Sequence, residues 1–340
     1  MTQSKIRFAL IGAGRIGKIH AETLAARLRS VELTAIADVN RAAAQALADE
    51  WGVARVADDY NVLFDEPNFD ALVVASSTET HLPIIERAAL AGKHVFCEKP
   101  LALELAQVDR VLALVERAGI KLQVGFNRRF DANFRRARAL IAEGRIGTPH
   151  LVHIVSRDPA PPPPEYVRTS GGIFLDMTIH DFDMARYLIG SEVREVYATG
   201  EVRIDPQIGA LGDVDVAVTL LRFENGVLGT IDNTRGTSYG YDQRVEVFGA
   251  AGAITVANET PDEITLSNSQ GIHTTLPYYF FLERYAEAYV QELREFVQAI
   301  RQDRVPPVTG HDARTPIVIG LAANKSLREH RPVRVDEITA

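Results

Sequence analysis

The sequence of 340 residues has a single cysteine, Cys97. One thiol excludes both an internal disulfide and a thiolate metal cluster within one chain. The sequence also lacks an apolar run long enough to span a bilayer, and residues 1–5 lead directly into a strand pattern. We therefore expect no membrane segment and no signal peptide, and a cytoplasmic location.

Positive charge is in deficit as well. The formal net charge is −8, from 37 Lys and Arg against 45 Asp and Glu. This balance argues against general binding to nucleic acid or to an anionic membrane. Hydrophobic residues make up 46% of the chain and charged residues 24%, which is typical of a globular protein. The length predicts two domains of ordinary size, with ample apolar material for a core.

The first third of the chain alternates short apolar strands with helices. Strands are predicted at residues 6–11, 31–37, 71–75, 94–97 and 122–125, with helices at residues 15–26, 41–51, 83–91 and 103–118. Repeated βα units with right-handed crossovers form a doubly wound parallel sheet, the Rossmann fold. We assign this domain to residues 1–125.

Longer β-type stretches dominate the rest of the chain, residues 126–340. Strands are predicted at residues 151–155, 193–202, 214–223, 227–234, 244–249, 253–256 and 263–266, with helices at residues 134–143, 173–189, 281–301 and 313–329. Turn sequences between neighbouring strands indicate antiparallel pairing. The proline-rich tract 159–164 is predicted to be a loop, because consecutive prolines cannot continue a helix. The sequence thus predicts an α+β domain with a large open, mostly antiparallel sheet.

A glycine-rich turn at residues 12–17 follows the first strand and opens the first helix. Gly12 permits the tight turn, Gly14 lets a phosphate approach the backbone, and Gly17 allows close packing of helix on strand. Backbone N–H groups and the helix dipole converge there on a pyrophosphate. The context predicts a dinucleotide site rather than a purely structural turn.

Asp38 ends the second predicted strand. A carboxylate at this position accepts hydrogen bonds from the adenosine ribose and repels a 2′-phosphate, which favours NAD over NADP. Arg41 qualifies that preference, because a nearby arginine can accommodate the phosphate. The alternative is that Asp38 only caps the helix that begins near Arg41.

Lys99, in Glu98-Lys99-Pro100, follows the strand that ends in Cys97. Ligands of open parallel sheets gather at the carboxyl ends of the strands, so we expect Lys99 to face the nicotinamide region. Its ammonium can hold a substrate hydroxyl and stabilise the developing alkoxide. The alternative is a surface lysine. Cys97 is predicted to be a buried strand residue rather than a nucleophile.

Asp176 and His180 lie four residues apart and share one face of the predicted helix. Oxidation of an alcohol requires loss of the hydroxyl proton, which an imidazole can accept near neutral pH, while Asp176 can orient the imidazole or bind a second hydroxyl. The alternative is that the pair is only a contact on a helix surface. A metal site through His150, His153 and His180 is an alternative, but these residues form no tight ligand pattern. We predict no metal.

Together, the glycine turn, Glu98-Lys99-Pro100, residues 125–131 and residues 171–180 resemble the Gfo/Idh/MocA oxidoreductase family across essentially the whole chain. The resemblance implies that Lys99, Asp176 and His180 form the catalytic set and that the Lys99–Pro100 peptide is cis. It also implies dimers or tetramers assembled through the open sheet of the second domain. The cofactor contacts implied are Gly12, Gly14, Arg15, Ile16, Gly17, Asp38, Thr78, His81, Glu98 and Lys99.

Segments 127–131, 156–159, 239–249 and 280–285 are similar to those of family members that act on inositol. The similarity implies NAD-dependent oxidation of a ring hydroxyl of a cyclic polyol such as myo-inositol. The polyol contacts it implies are Lys99, Arg129, Asp158, Asp176, His180, Tyr239, Tyr241 and Tyr279. Each tyrosine has the alternative of being a packed sheet residue, and the prolines at 161–164 depart from the pattern beside Asp158.

Two other interpretations remain open. One is dehydrogenation of another inositol isomer, a pyranose sugar or an anhydrosugar, which needs the same catalytic groups. The other is a non-catalytic dinucleotide sensor on the same fold. The joint presence of Lys99, Asp176 and His180 argues against a sensor, which has no chemical need for all three.

Overall fold

A computed structural model of the chain describes residues 4–339 and contains a six-stranded sheet, a seven-stranded sheet and a two-stranded hairpin. The first sheet and its helices are, in chain order, β1 (Ile6–Ile11), α1 (Arg15–Glu22), β2 (Val31–Ala37), α2 (Arg41–Trp51), β3 (Arg55–Ala57), α3 (Asn61–Asp65), β4 (Ala71–Val74), α4 (Thr78–Leu90), β5 (His94–Glu98), α5 (Leu105–Ala118) and β6 (Leu122–Gly125). All of its strand pairs are parallel, in the order β3-β2-β1-β4-β5-β6.

Local chemistry explains where these helices begin and end. Asn40 caps α2, because its side chain accepts a hydrogen bond from the Ala43 N–H. α2 and α5 both end at a glycine in the left-handed conformation, Gly52 and Gly119. Central strand β4 is fully buried, as expected for a parallel strand that is covered on both faces. The predicted doubly wound parallel sheet is confirmed.

The second sheet is mixed and mostly antiparallel, in the order β12-β11-β7-β10-β9-β8-β15. Only the β7–β10 pair in it is parallel among the described residues. The elements after β6 are α6 (Ala132–Ala142), β7 (Pro149–Arg157), α7 (Pro164–Ser170), α8 (Ile173–Asp176), α9 (Ile179–Ile189), β8 (Val193–Glu201), α10 (Pro206–Ala210), β9 (Val216–Phe223), β10 (Leu228–Thr234), β11 (Asp242–Gly249), β12 (Gly252–Val256), β13 (Thr265–Asn268), β14 (Gly271–Thr274), α11 (Phe281–Arg284), α12 (Ala286–Arg301), α13 (Gly310–Glu329) and β15 (Val333–Arg334). The predicted α+β class of this half is confirmed.

The chain divides into two compact units that are not contiguous in sequence. The first contains residues 4–130 and 287–315, and the second contains residues 131–286 and 316–339. The predicted second domain, 126–340, differs from this division at residues 126–130 and at residues 287–315, which contain most of α12. The reason is the apolar face of α12, where Leu293 and Phe296 are fully buried in the core of the first unit. Residues 1–3 and 340, at the ends of the predicted domains, lie outside the described residues.

Several predicted elements differ in detail. The helix predicted at 173–189 is interrupted between α8 and α9, and the one at 281–301 is interrupted between α11 and α12. Pro164, predicted to lie in a loop, begins α7, where a proline costs no hydrogen bond. The short strands β3, β14 and β15 were not predicted. Within residues 4–339, the structure contains no helix with the length and hydropathy needed to cross a membrane.

Candidate active site

The glycine turn has the geometry that a dinucleotide pyrophosphate requires. Gly12 has a φ of 105°, and a Cβ there would lie 2.5 Å from the backbone of Ala75. A Cβ on Gly17 would lie 2.0 Å from the Gly12 carbonyl oxygen, so helix and turn touch directly. A Cβ on Gly14, which caps α1, would meet no atom within 4 Å. The turn is thus closed on the protein side and open above Gly14, where Arg15 and Ile16 begin the helix.

Asp38 connects this turn to the end of β2. Its Oδ2 accepts a hydrogen bond from the Ala13 N–H at 2.6 Å, and its Oδ1 accepts one from the Asn40 N–H at 2.7 Å. The alternative that Asp38 caps α2 is wrong, because Asn40 is the cap. The carboxylate is instead held against the glycine turn, which is the position a ribose-binding acid needs.

The Glu98-Lys99-Pro100 segment leaves the carboxyl end of β5, at the same sheet edge as Gly12 and Asp38. The Lys99–Pro100 peptide is cis, as predicted. His81 lies beneath it, 1% exposed, with Nδ1 2.8 Å from the Pro100 carbonyl oxygen and Nε2 3.1 Å from the Ser76 carbonyl oxygen. His81 therefore supports the backbone around this loop, whereas Thr78 begins α4 at the sheet edge. Burial lowers the pKa of His81.

Glu98 faces a buried polar cluster in the first unit. Its Oε1 lies 2.6 Å from Nε2 of His20, and its Oε2 would lie 2.9 Å from a Cβ on Gly125. Glu292 of α12 is fully buried beside them, and burial raises its pKa well above the ordinary value, with the charge of Glu98 adding to the effect. Among the described residues, neither carboxyl oxygen of Glu292 has a hydrogen-bond partner. We therefore expect Glu292 to be protonated in the folded protein, because burying an ionised carboxylate without a partner costs several kcal/mol of free energy.

Within residues 4–339, one group of three potential metal ligands has all its ligating atoms within 4.8 Å of one another: His20, Glu98 and Glu292. The alternative set of His150, His153 and His180 does not assemble in this way. His153 instead lies 3.3 Å from the Asp232 carboxylate. Cys97 is fully buried, and burial raises the pKa of its thiol, which confirms a strand residue rather than a nucleophile.

Asp176, at the end of α8, is bound at both carboxylate oxygens. The Tyr166 hydroxyl donates to Oδ1 at 2.8 Å, and Nη1 of Arg235 donates to Oδ2 at 3.1 Å. Arg235 is 1% exposed, and its Nη2 lies 3.7 Å from Oδ2 of Asp213. Asp213 in turn accepts from the Ile173 N–H at the start of α8. Asp176 is therefore an oriented carboxylate with a buried cation behind it.

The interruption between Asp176 and His180 has a clear physical cause. The Thr178 N–H donates to the carbonyl oxygen of Ile173, five residues back, and the Thr178 hydroxyl contacts the same oxygen. That hydroxyl also bonds to Asn233 of β10 at 2.8 Å, and Asn233 donates to buried Asp181 at 2.8 Å. The prediction of one continuous helix is wrong. The two residues are nevertheless held on adjoining helices anchored to the sheet.

The predicted polyol contacts do not all gather at Asp176. The Tyr239 hydroxyl lies on the face of the second sheet that carries Asp232, and there it donates to Asp242 at 2.6 Å. Tyr241 is 5% exposed and packs edge-on against Phe281 and Tyr285. Tyr279 lies in a loop and is 65% exposed.

Two further predicted contacts occupy different units. Arg129 belongs to the first unit, where its Nη1 lies 3.4 Å from Oδ1 of Asp312. Asp158 belongs to the second unit and directly follows β7. Its charge contributes to raising the pKa of Tyr166, after burial and the neighbouring Asp176. Asp158 therefore lies in the second unit, close enough to Tyr166 for its charge to act there, whereas Arg129 lies in the first unit.

Tyr166 and Arg235 were missed by reasoning from the sequence. Arg235 follows a strand that ends in the polar run Asp232-Asn233-Thr234, and such a run at a strand end is the one available signal. Tyr166 sits just after the proline tract, and nothing in its local pattern distinguishes it from a surface aromatic residue. Only the folded chain brings both side chains to Asp176.

Comparison with known families gives two matches that together cover most of the chain. Residues 6–126 match the oxidoreductase family with an NAD-binding Rossmann fold, GFO_IDH_MocA. Residues 134–255 match the GFO/IDH/MocA C-terminal domain.

Similar proteins extend the match to nearly the whole length. The chain is 48% identical to myo-inositol 2-dehydrogenase of Thermotoga maritima, with 98% of this chain and 99% of that protein covered. It is 43% identical to inositol 2-dehydrogenase of Rhizobium meliloti, with 97% and 99% covered. A crystal structure of scyllo-inositol dehydrogenase from Lactobacillus casei with bound NAD(H) and scyllo-inositol is similar with a TM-score of 0.92, at 31% identity, with 98% and 100% covered.

Proposed function

Because the chain belongs to the Gfo/Idh/MocA oxidoreductase family, we propose that it is an NAD-dependent dehydrogenase that converts myo-inositol to 2-keto-myo-inositol. The observation that carries this proposal is the end-to-end similarity, at 48% identity, to an enzyme named for that reaction. The oriented Asp176 and the open glycine turn support it independently, because they supply a polar anchor for a hydroxyl and a cradle for a pyrophosphate.

Each proposed catalytic group has a separate task. His180 accepts the proton of the reacting hydroxyl, and Lys99 stabilises the negative charge that develops on its oxygen. Asp176 orients the substrate and the imidazole. Bound NAD⁺ supplies the acceptor for the hydride that leaves the ring carbon. One hydride and one proton thus leave the alcohol, and a ketone remains.

The direct test is NADH absorbance with a panel of cyclitols and sugars, run with NAD and with NADP. We expect the highest kcat/KM with myo-inositol and NAD. Tight NAD binding with no turnover of any polyol would contradict the proposal and favour the dinucleotide sensor.

The main alternative is another cyclic polyol, and scyllo-inositol is the specific candidate. It is supported by the similarity to the scyllo-inositol dehydrogenase of Lactobacillus casei. A pyranose sugar or anhydrosugar needs the same acid–base groups. The panel separates these substrates, because each differs in which hydroxyls must be held.

We propose NAD rather than NADP as the preferred cofactor, on the position of Asp38. Replacement by alanine, Asp38→Ala, removes an acceptor for the ribose hydroxyls and the support of the Ala13 N–H. We expect the KM for NAD to rise about tenfold, since a hydrogen bond to a charged group is worth about 1.5–3 kcal/mol. The KM for NADP should change little or fall, because the repulsion of a 2′-phosphate is gone. An unchanged ratio of the two KM values would contradict this role.

We further propose a homo-oligomer, dimer or tetramer, that assembles through the outer face of the second sheet. Apolar side chains on that face are 43–48% exposed: Leu151, Val218, Leu220, Leu228 and Phe248. Burial against a second copy would remove this surface from water. Leu220→Glu should therefore yield smaller species in light scattering after gel filtration, with Leu220→Met as the matched control. A variant with the wild-type mass would contradict the proposal.

A further inference from the structure

Tyr166 is both accessible to solvent and bonded to a proposed catalytic residue. Its residue is 47% exposed, yet its hydroxyl donates a 2.8 Å hydrogen bond to Oδ1 of Asp176. Burial, together with the charge of Asp176, raises the pKa of that phenol, so it stays protonated and remains a donor. Tyr166 is therefore a half-exposed side chain whose hydroxyl is fixed at Asp176.

Arg235, which also bonds to Asp176, is buried and charged, whereas Tyr166 is half-exposed and neutral. Arg235 is 1% exposed and fixed between Asp176 and Asp213, at 3.1 Å and 3.7 Å. A ligand cannot displace a buried guanidinium without leaving its charge unpaired. Arg235 thus orients Asp176 from behind, and Tyr166 is the partner at the accessible side.

Helix α7 fixes the position of Tyr166. The chain after Asp158 passes through the prolines at 161–163, whose φ angles are restricted by their rings. Pro164 then begins α7, in which Val167 and Ser170 are buried and Tyr166 points outward. A short helix held between a stiff tract and a buried face can present one side chain at a defined place.

We propose that Tyr166 is a specificity-determining residue, which contacts the cyclic polyol beside the hydroxyl that Asp176 holds. This inference rests on the proposed function and deepens it. The phenol oxygen, while donating to Asp176, still has lone pairs that accept a hydrogen bond from a neighbouring polyol hydroxyl. The exposed ring face packs against the C–H face of the cyclitol, as aromatic residues do in ligand sites.

The test compares Tyr166→Phe and Tyr166→Ala with the wild type, on myo-inositol and scyllo-inositol, two epimers that differ at one ring carbon. For Tyr166→Phe we expect the KM for the better substrate to rise about fivefold, the loss of one neutral hydrogen bond. Its kcat should stay within about threefold of the wild type, because Arg235 still orients Asp176. The ratio of kcat/KM for the two epimers should shift at least threefold, and further in Tyr166→Ala.

Tyr197→Phe, on β8, is the matched control and should change none of these values. The dissociation constant for NAD should be the same in all variants, and unfolding temperatures verify that they fold. Wild-type KM and epimer ratio in Tyr166→Phe would overturn the inference, as would a large loss of kcat at unchanged KM, which would mean that Tyr166 acts only through Asp176. A wild-type enzyme that oxidises no cyclitol would instead overturn the proposed function, and the inference with it.

Discussion

Replacement of Lys99 by alanine is expected to reduce kcat about 10³-fold or more, because an ammonium that stabilises a developing alkoxide acts mainly in the transition state. The dissociation constant for NAD should stay within about twofold of the wild type, since the pyrophosphate and ribose positions at the glycine turn and Asp38 are untouched. Stopped-flow absorbance of NADH measures the first quantity, and fluorescence titration measures the second.

Two comparisons make this expectation specific. Lys99→Met keeps the apolar length of the side chain and should be as inactive as Lys99→Ala, which separates charge from packing. Lys93→Ala, just before β5 in the same unit, is the control and should keep wild-type turnover. Normal turnover in either Lys99 variant would remove Lys99 from the mechanism.

The second large effect concerns Glu292 and stability. Its pKa is raised in the folded state because it is fully buried, whereas in the unfolded chain it ionises with a pKa of about 4.3. Between these two values the folded protein binds a proton that the unfolded chain lacks. The free energy of unfolding therefore falls as the pH rises, by up to about 1.4 kcal/mol per pH unit from this group.

Glu292→Gln is a nearly isosteric change that cannot ionise. We expect it to match the wild type near pH 4, below the unfolded-state pKa, and to exceed it in unfolding temperature by a margin that grows as the pH rises from 5 to 8. Circular dichroism at one fixed protein concentration measures this. Glu50→Gln, exposed on α2, should follow the wild-type curve at every pH. Parallel curves for Glu292→Gln and the wild type would show that Glu292 is ionised in the fold.

The sequence was most informative where function depends on local backbone geometry. A side chain at Gly12 or Gly17 would collide with the backbone, so the turn needs glycine at both positions. Because both glycines lie within a few residues of β1, the local sequence pattern predicts the turn. The parallel sheet follows in the same way from apolar strands alternating with helices. Lys99 and Asp38 could be placed because each directly follows a predicted strand, and strand ends share one edge of the sheet.

Contacts between distant segments could not be predicted. Arg235 lies 59 residues from Asp176 in the chain, and nothing in either local pattern specifies their ion pair. Tyr239 and Tyr241 lie just before β11, where the Tyr239 hydroxyl bonds to Asp242 and the Tyr241 ring packs against Phe281 and Tyr285, and a similar motif does not reveal which of them meets a ligand. The break at Thr178 depends on Asn233, a partner supplied by β10.

Helix α12 has a consequence for how the chain matures. Phe296 packs against Phe8 and Phe96, with ring centroids 6.2 Å and 6.1 Å apart, although nearly 300 positions separate it from Phe8. During synthesis the nucleotide-binding sheet emerges first but lacks this cover until the ribosome has nearly finished. The first unit is thus the first to be synthesised, but its hydrophobic core is complete only after α12 has emerged. A fragment cut after residue 130 should expose an apolar surface and aggregate, whereas a fusion of residues 4–130 with 287–315 carries the missing helix.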